Sequence, residues 1–267
     1  MNELIHDADT IEAAACADLY AAGADVPGTS AQTIGGATVL IAPSIPVSHF
    51  NRVIGLGVDQ AATEADLDAI EAAFRASGVN SWWVHRSPLA QPAALEEWLR
   101  QRRYALPPRR AWAKLVRDPV PAAPAPTALA VRAATPADAQ AIGVIACSAY
   151  DMPAALAPWF ASLAGRSGWQ LFVACDGPAP VATGALFVRD GIGWLGIGAT
   201  LADCRGRGAQ SALLAARIDA ARAAGCRLIV TETGEPVGDE ANPSLANIRR
   251  AGFVQVCSRL NYAAPQD

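Results

Sequence analysis

The stretch DPVPAAPAPT at 118–127 places four prolines within eight residues. Proline fixes φ and removes a backbone donor, so such a segment enters neither a helix interior nor a central strand and reads as a stiff, extended connector. The chain of 267 residues therefore divides into 1–120, a Pro/Ala linker at 121–128, and 129–267. On each side the same order recurs: strand, helix, strand, helix, strand. In the first half GATVLIA and FNRVIGLGV are strand-like, and Thr63 opens a helix in which Asp66 completes a capping box. Leu67, Ile70 and Phe74 share a face of that helix, and Gly78 closes it. NSWWVH is a strand, a helix follows from Pro92, and RAWAKLVR is a closing strand. In the second half LAVRAAT leads to a helix from Pro136, LFVACD and ATGALFVRD form a hairpin, and IGWLGIGATL is a further strand. A helix ending at Gly225, the strand RLIVTET, the helix PSLANIRRAGF and the strand VQVCSRLNYA complete it. The expectation is an α/β (α+β) chain of two similar domains in tandem.

Several chemistries are excluded by what the sequence lacks. The net charge of −4 gives no basic footprint for nucleic acid, while an acidic balance suits an amine substrate. His6, His49 and His85 are the only histidines, so no Ser-His-Asp triad or histidine metal site can be built within the second half. Lys114 is the only lysine and follows no glycine, which removes the phosphate-binding GxxxxGK[ST] loop. The six cysteines form no CxxC pair or zinc-like spacing, and are read as reduced thiols of a cytoplasmic protein that needs no metal. MNELIHDADT is acidic, with no apolar leader behind it, and no apolar run approaches the ~18 residues of a membrane span.

Two glycine motifs compete for a nucleotide. GIGWLG at 191–196 matches the dinucleotide fingerprint, but Ile192, Trp194 and the following IGATL continue as strand and no helix starts there, so the match lacks its context. CRGRGAQSALLAARIDAAR, at 204–222, has the right context: a strand ends near Leu201 and a helix carrying Leu213, Leu214 and Ile218 begins after Gly208. Bare backbone at Gly206 and Gly208, the unpaired N–H groups of a first helical turn and the charges of Arg205 and Arg207 suit a pyrophosphate. An ordinary strand-to-helix turn with solvated arginines is the competing reading.

The wider sequence decides between them. TLADCRGRGAQSALL resembles the acyl-CoA loop of the GNAT family of acetyltransferases, R/Q-x-x-G-x-G/A after a strand, with Arg205, Gly208 and Gln210 on the named positions and Gln210 departing from the usual small residue. NPSLANIRRAGF is similar to the family's later helix and its Gly-Phe ending, and the resemblance covers about 129–267. It implies two tandem GNAT-like domains, each a mixed, mostly antiparallel sheet flanked by helices. It implies acetyl-CoA as co-substrate, bound by Gly198, Ala199 and Thr200 on the strand, by Arg205, Gly206, Arg207, Gly208, Ala209, Gln210 and Ser211 at the loop, and by Asn247 on the later helix. The first half has the acidic DQAATE in place of RGRGAQ and looks like a degenerate copy without a CoA loop.

The implied reaction is acetyl transfer from acetyl-CoA to the amine of a small molecule or peptide. Glu232, in IVTETGE, is the candidate base, with Asp239 and Glu240 behind it; a solvated or arginine-paired carboxylate is the alternative reading. The family's acid is a tyrosine four residues before the Gly-Phe pair, and here that position is Ile248. Tyr150 and Tyr262 are the only tyrosines in this half, and Tyr262 is carried as the candidate acid; each also reads as a buried, hydrogen-bonded tyrosine. DMPAALAPWF is similar to the region bordering the family's acceptor site, with Trp159 and Phe160 either lining it or packing in the core. The vacant tyrosine position also suits a second reading, a non-catalytic acyl-CoA-binding or sensing protein. A homodimer is compatible with either reading.

Overall fold

The structure, a computed structural model, describes residues 1–23, 25–26, 28–45 and 47–265. They form two compact units that do not follow chain order. The first is Met1–Lys114, Thr233–Ala241 and Gln255–Asp267; the second is Leu115–Glu232 and Asn242–Val254. The proline-rich stretch expected to link two halves thus lies wholly in the second unit.

In the first unit, β1 (Ser30–Ile34), β2 (Ala37–Ile41), β3 (Arg52–Ile54) and β4 (Trp83–Arg86) lie side by side, antiparallel except for the parallel β3/β4 pair. Thr63 caps α2 (Glu64–Ala76) with the expected box: its hydroxyl accepts from the Asp66 N–H at 3.2 Å, and its own N–H donates to the Asp66 carboxylate at 2.8 Å. The face carrying Leu67, Ile70 and Phe74 is fully buried. The second helix, α3 (Leu95–Gln101), starts three residues after Pro92.

Beside β1, which the sequence reading left unassigned, two elements depart from it. The last strand, β11 (Val254–Ala263), does not complete the second half; it pairs antiparallel with β4, Asn261 opposite His85, and separates β4 from β5 (Ala111–Arg117). Tyr262 and Ala264 lie in the core of this unit with Phe74, Trp82 and Leu95. The other is α1 (Asn2–Ala22), a helix of 21 residues absent from the expectation. Its inner face carries acids as well as aliphatics: Asp9 and Glu12 are buried with Ile5, Ile11 and Leu19. Glu12 meets Lys114 at 2.7 Å, Arg259 at 3.0 Å and Arg52 at 3.4 Å, so charges that broke the apolar period are matched by cations from three strands.

The second unit holds β6 (Ala130–Ala133), β7 (Trp169–Asp176), β8 (Ala179–Arg189), β9 (Ile192–Thr200) and β10 (Leu228–Gly234), in the order β10-β9-β8-β7-β6. All pairs are antiparallel except β9/β10. GIGWLG lies at a turn and inside β9, outside the context a dinucleotide motif requires. α4 (Ala139–Ala149) and α6 (Ala209–Ala223) each pack on β8 and β9, and α7 (Pro243–Arg250) packs on α6. Trp159 and Phe160 are core residues, 2% and 1% exposed.

Candidate functional site

β9 and β10 pair only from Ile192–Leu195 against Leu228–Thr231, although β9 continues to Thr200. Beyond Leu195 the β10-side edge of β9 carries no recorded ladder. On its other side β9 bulges: Thr183 pairs with Ala199 and Ala185 with Gly196, so Ile197 and Gly198 together oppose Gly184. Ile197 takes φ +50°, an unfavourable conformation for a β-branched residue, as occurs where surrounding structure enforces a functional geometry. Gly196 is bare for packing: a Cβ there would fall 1.8 Å from the Trp194 ring.

Past the strand, a short 3-10 turn (Ala202–Cys204) leads into the glycine loop. Gly206 and Gly208 take φ +77° and +83°, in the left-handed region that glycine enters freely. Gly208 is the N-cap of α6, and no side chain caps that helix, so its first-turn N–H groups remain for a ligand. A Cβ at Gly208 would lie 2.6 Å from the Pro126 carbonyl. The Thr127 hydroxyl donates to the Arg207 carbonyl at 2.7 Å, so the proline-rich segment braces the loop.

The strand, the loop and α7 enclose a cavity of about 690 Å³. Gly198, Ala199, Thr200, Arg205, Gly206, Gly208, Ala209, Gln210, Ser211 and Asn247 line it, each expected from the sequence. Arg207 does not. It is tied to Asp176 at 2.7 Å. Gln210 bridges α6 to α7: its amide donates to the Ser244 hydroxyl at 2.9 Å and its carbonyl accepts from Asn247 at 2.7 Å. Leu213, Thr183, Arg217, Ala149 and Tyr150 complete much of the wall, and the sequence reading singled out only Tyr150 among them.

A model of the acetyltransferase (GNAT) family matches residues 129–252. This stretch belongs to the GNAT family. Over the whole chain, the fold is that of a GCN5-related N-acetyltransferase from Kribbella flavida, 18% identical, with a TM-score of 0.64 covering 93% of this chain and 96% of that one. A GCN5-related N-acetyltransferase from Sphaerobacter thermophilus gives 16% identity and a TM-score of 0.63, covering 86% and 82%. A tandem GNAT protein from the clavulanic acid biosynthesis pathway gives 15% and 0.58, covering 88% and 80%. At these identities the likeness is one of fold. No curated protein matches the sequence.

Within the GNAT domain the two candidate catalytic residues part company. Glu232, on β10, is half-buried and accepts from the Trp194 indole at 3.2 and 3.1 Å, one contact to each carboxylate oxygen. It does not line the cavity, but its charge reaches Tyr150, which does. Tyr262 is instead a core residue of the first unit, 3% exposed and hydrogen-bonded to Glu96. The reason is the placement of β11, which carries Tyr262 into the β4 side of that sheet. Tyr150, at the end of α4, donates to the Gly198 carbonyl at 3.4 Å. Burial pushes its phenol up to about 12, Glu232 adds to the rise and Arg217 opposes it. Ile248 is buried, so the family's usual acid position is apolar packing. Asp239 and Glu240 are exposed and belong to the first unit.

Proposed function

We propose that the second unit is an N-acetyltransferase that moves an acetyl group from acetyl-CoA to the amine of a small molecule or peptide. The observation that carries this reading is the uncapped N-terminus of α6 behind two left-handed glycines, opening into a cavity that continues along the unpaired edge of β9. Main-chain N–H groups from Gly206 to Ser211 would hold the diphosphate, Arg205 adding charge. Gly198, Ala199 and Thr200 would meet the pantetheine arm. The amine nitrogen forms the new C–N bond as the thioester C–S bond breaks. The amine proton goes to Glu232, and the departing thiolate takes a proton from Tyr150, which replaces Tyr262 as the candidate acid.

The contrast with α2 supports assigning acyl-CoA to the second unit alone. There the Thr63 hydroxyl already engages the Asp66 N–H, and the Asp66 carboxylate, which accepts from the Thr63 N–H, would repel a diphosphate. We place the protein in the cytoplasm; all six cysteines are free thiols, which suits a reducing compartment. Among the described residues no helix is long and apolar enough to cross a membrane, and no cluster of His, Cys, Asp or Glu could hold a metal.

Calorimetry with CoA and acetyl-CoA tests the binding, and release of free thiol over an amine panel tests the transfer. Binding without thiol release would favour the acyl-CoA sensor; no heat from either ligand would end both readings. Glu232→Gln is expected to lower kcat by about 100-fold or more with CoA affinity unchanged.

A further inference from the structure

Arg217 lies two turns along α6 from the loop, about 12 Å from Ala209 by the helical rise. It lines the same cavity yet is only 3% exposed. Its guanidinium donates Nε–H to the Leu213 carbonyl at 3.0 Å, and Nη1–H to the carbonyls of Ala185 at 3.2 Å and Gly196 at 3.1 Å. These three neutral acceptors hold the side chain on the β9 bulge. No carboxylate lies within 4.0 Å of it among the described residues, and Nη2 has no hydrogen-bond partner. The sheet has made room for it: a Cβ on Gly184 would stand 2.7 Å from the guanidinium carbon.

A buried cation without a counter-ion is costly, and a site normally compensates it. The anions of CoA itself are accounted for at the other end of the cavity by the loop and the α6 N-terminus. An acetyl group is neutral, and a simple amine adds further positive charge. Tyr150 is the titratable group that acts on Arg217, and its phenol stays protonated. A reactant entering the cavity would supply the compensating negative charge.

We propose that Arg217 binds a carboxylate at the reacting end of the cavity, donating to it through the N–H groups of Nη2. This rests on the acyl-CoA reading above and narrows it. One reactant carries a carboxylate, either the acyl group of a dicarboxylic thioester or the acceptor as an amino acid. Guanidinium is suited to this role because its planar donors match a carboxylate and remain charged when buried.

The test uses matched pairs on the full-length protein, so that it does not depend on a variant folding. Calorimetry compares succinyl-CoA with butyryl-CoA, equal in chain length and differing in the terminal carboxylate. A second arm titrates CoA-loaded protein with L-leucine and with isopentylamine, which lacks the α-carboxylate. A charge-assisted pair in a buried site predicts at least about tenfold tighter binding of the carboxylate member of one pair. Preference in the first arm assigns the carboxylate to the acyl group, and preference in the second assigns it to the acceptor. Arg217→Gln, which can still bond the strand carbonyls, should abolish that preference while leaving CoA affinity within about threefold. If CoA binds and neither pair differs by more than about threefold, the inference is overturned and the acetyltransferase reading stands. If CoA itself does not bind, the parent reading is the one that fails.

Discussion

Replacing Glu12 by Gln tests the charged core of the first unit. The carboxylate has no exposure and sits among Lys114, Arg259 and Arg52, whose side chains are 0%, 1% and 7% exposed. Asp9 also meets this cluster, 3.3 Å from Arg259. Glutamine keeps the shape but removes the charge that faces these three buried cations. Breaking a buried ion pair from one side costs about 3–5 kcal/mol. Domains have only about 5–15 kcal/mol to lose, so the first unit should melt roughly 10–20 °C lower. Urea titration followed by far-UV circular dichroism, with calorimetric melting, measures both quantities. The wild-type pH profile gives a second reading. Burial opposes ionisation of Glu12, but Arg259, Lys114 and Arg52 overcome it and hold its pKa well below the ordinary value of 4.5. A depressed carboxylate stabilises above its unfolded pKa, so its contribution is full at neutral pH and is lost only as pH falls below about 4.5 toward the folded value. A loss under about 1 kcal/mol for Glu12→Gln would refute the claim that these charges hold α1 in place.

The remaining tests probe the site and its scaffold. Gly208→Ala should weaken CoA at least about tenfold, because the left-handed φ costs about 1–2 kcal/mol and the new Cβ meets the Pro126 carbonyl; Gly206→Ala, with open space around it, should lose less, and equal losses in calorimetry would contradict the bracing role of the proline-rich segment. Tyr150→Phe should lower kcat with little change in CoA affinity. Because its phenol is raised to about 12, the wild-type to variant ratio should stay flat from about pH 7 to 9.5, and a ratio that falls in that range would argue against Tyr150 as the acid. Gly143→Ala places a Cβ 2.1 Å from the Ala157 carbonyl and should destabilise the second unit by about 1–3 kcal/mol in thermal melts, with no specific effect on CoA beyond stability.

The loop was legible because its signal is local: two glycines, a strand before and a helix after are adjacent letters, and the cavity includes all but one of the CoA-contact positions inferred from them. Arg207 pairs with Asp176 on another strand, which the local letters do not show. The capping boxes at Thr63 and Thr135 were equally local, although only the first was read as one. What failed was non-local. α1 hides its periodicity behind Asp9 and Glu12, acids that make sense only beside Arg259, almost the whole chain away. Tyr262 and Tyr150 both share a half with the loop in sequence, and nothing local shows that β11 carries Tyr262 to β4. Arg217 reads as a solvated helix charge, and only the bare position at Gly184 shows that the sheet admits it.

The position of β11 between β4 and β5 bears on how this polypeptide matures on the ribosome. Everything from Met1 to Lys114 emerges with a central gap in its hydrogen-bond ladder, and stays so until residues 254–263 leave the exit tunnel. The nascent amino-terminal part is thus exposed at two open strand edges throughout synthesis, a period in which aggregation and chaperone capture compete with folding. Expression of 1–120 and 129–267 as separate polypeptides would leave the first without that strand and the second with a stray one.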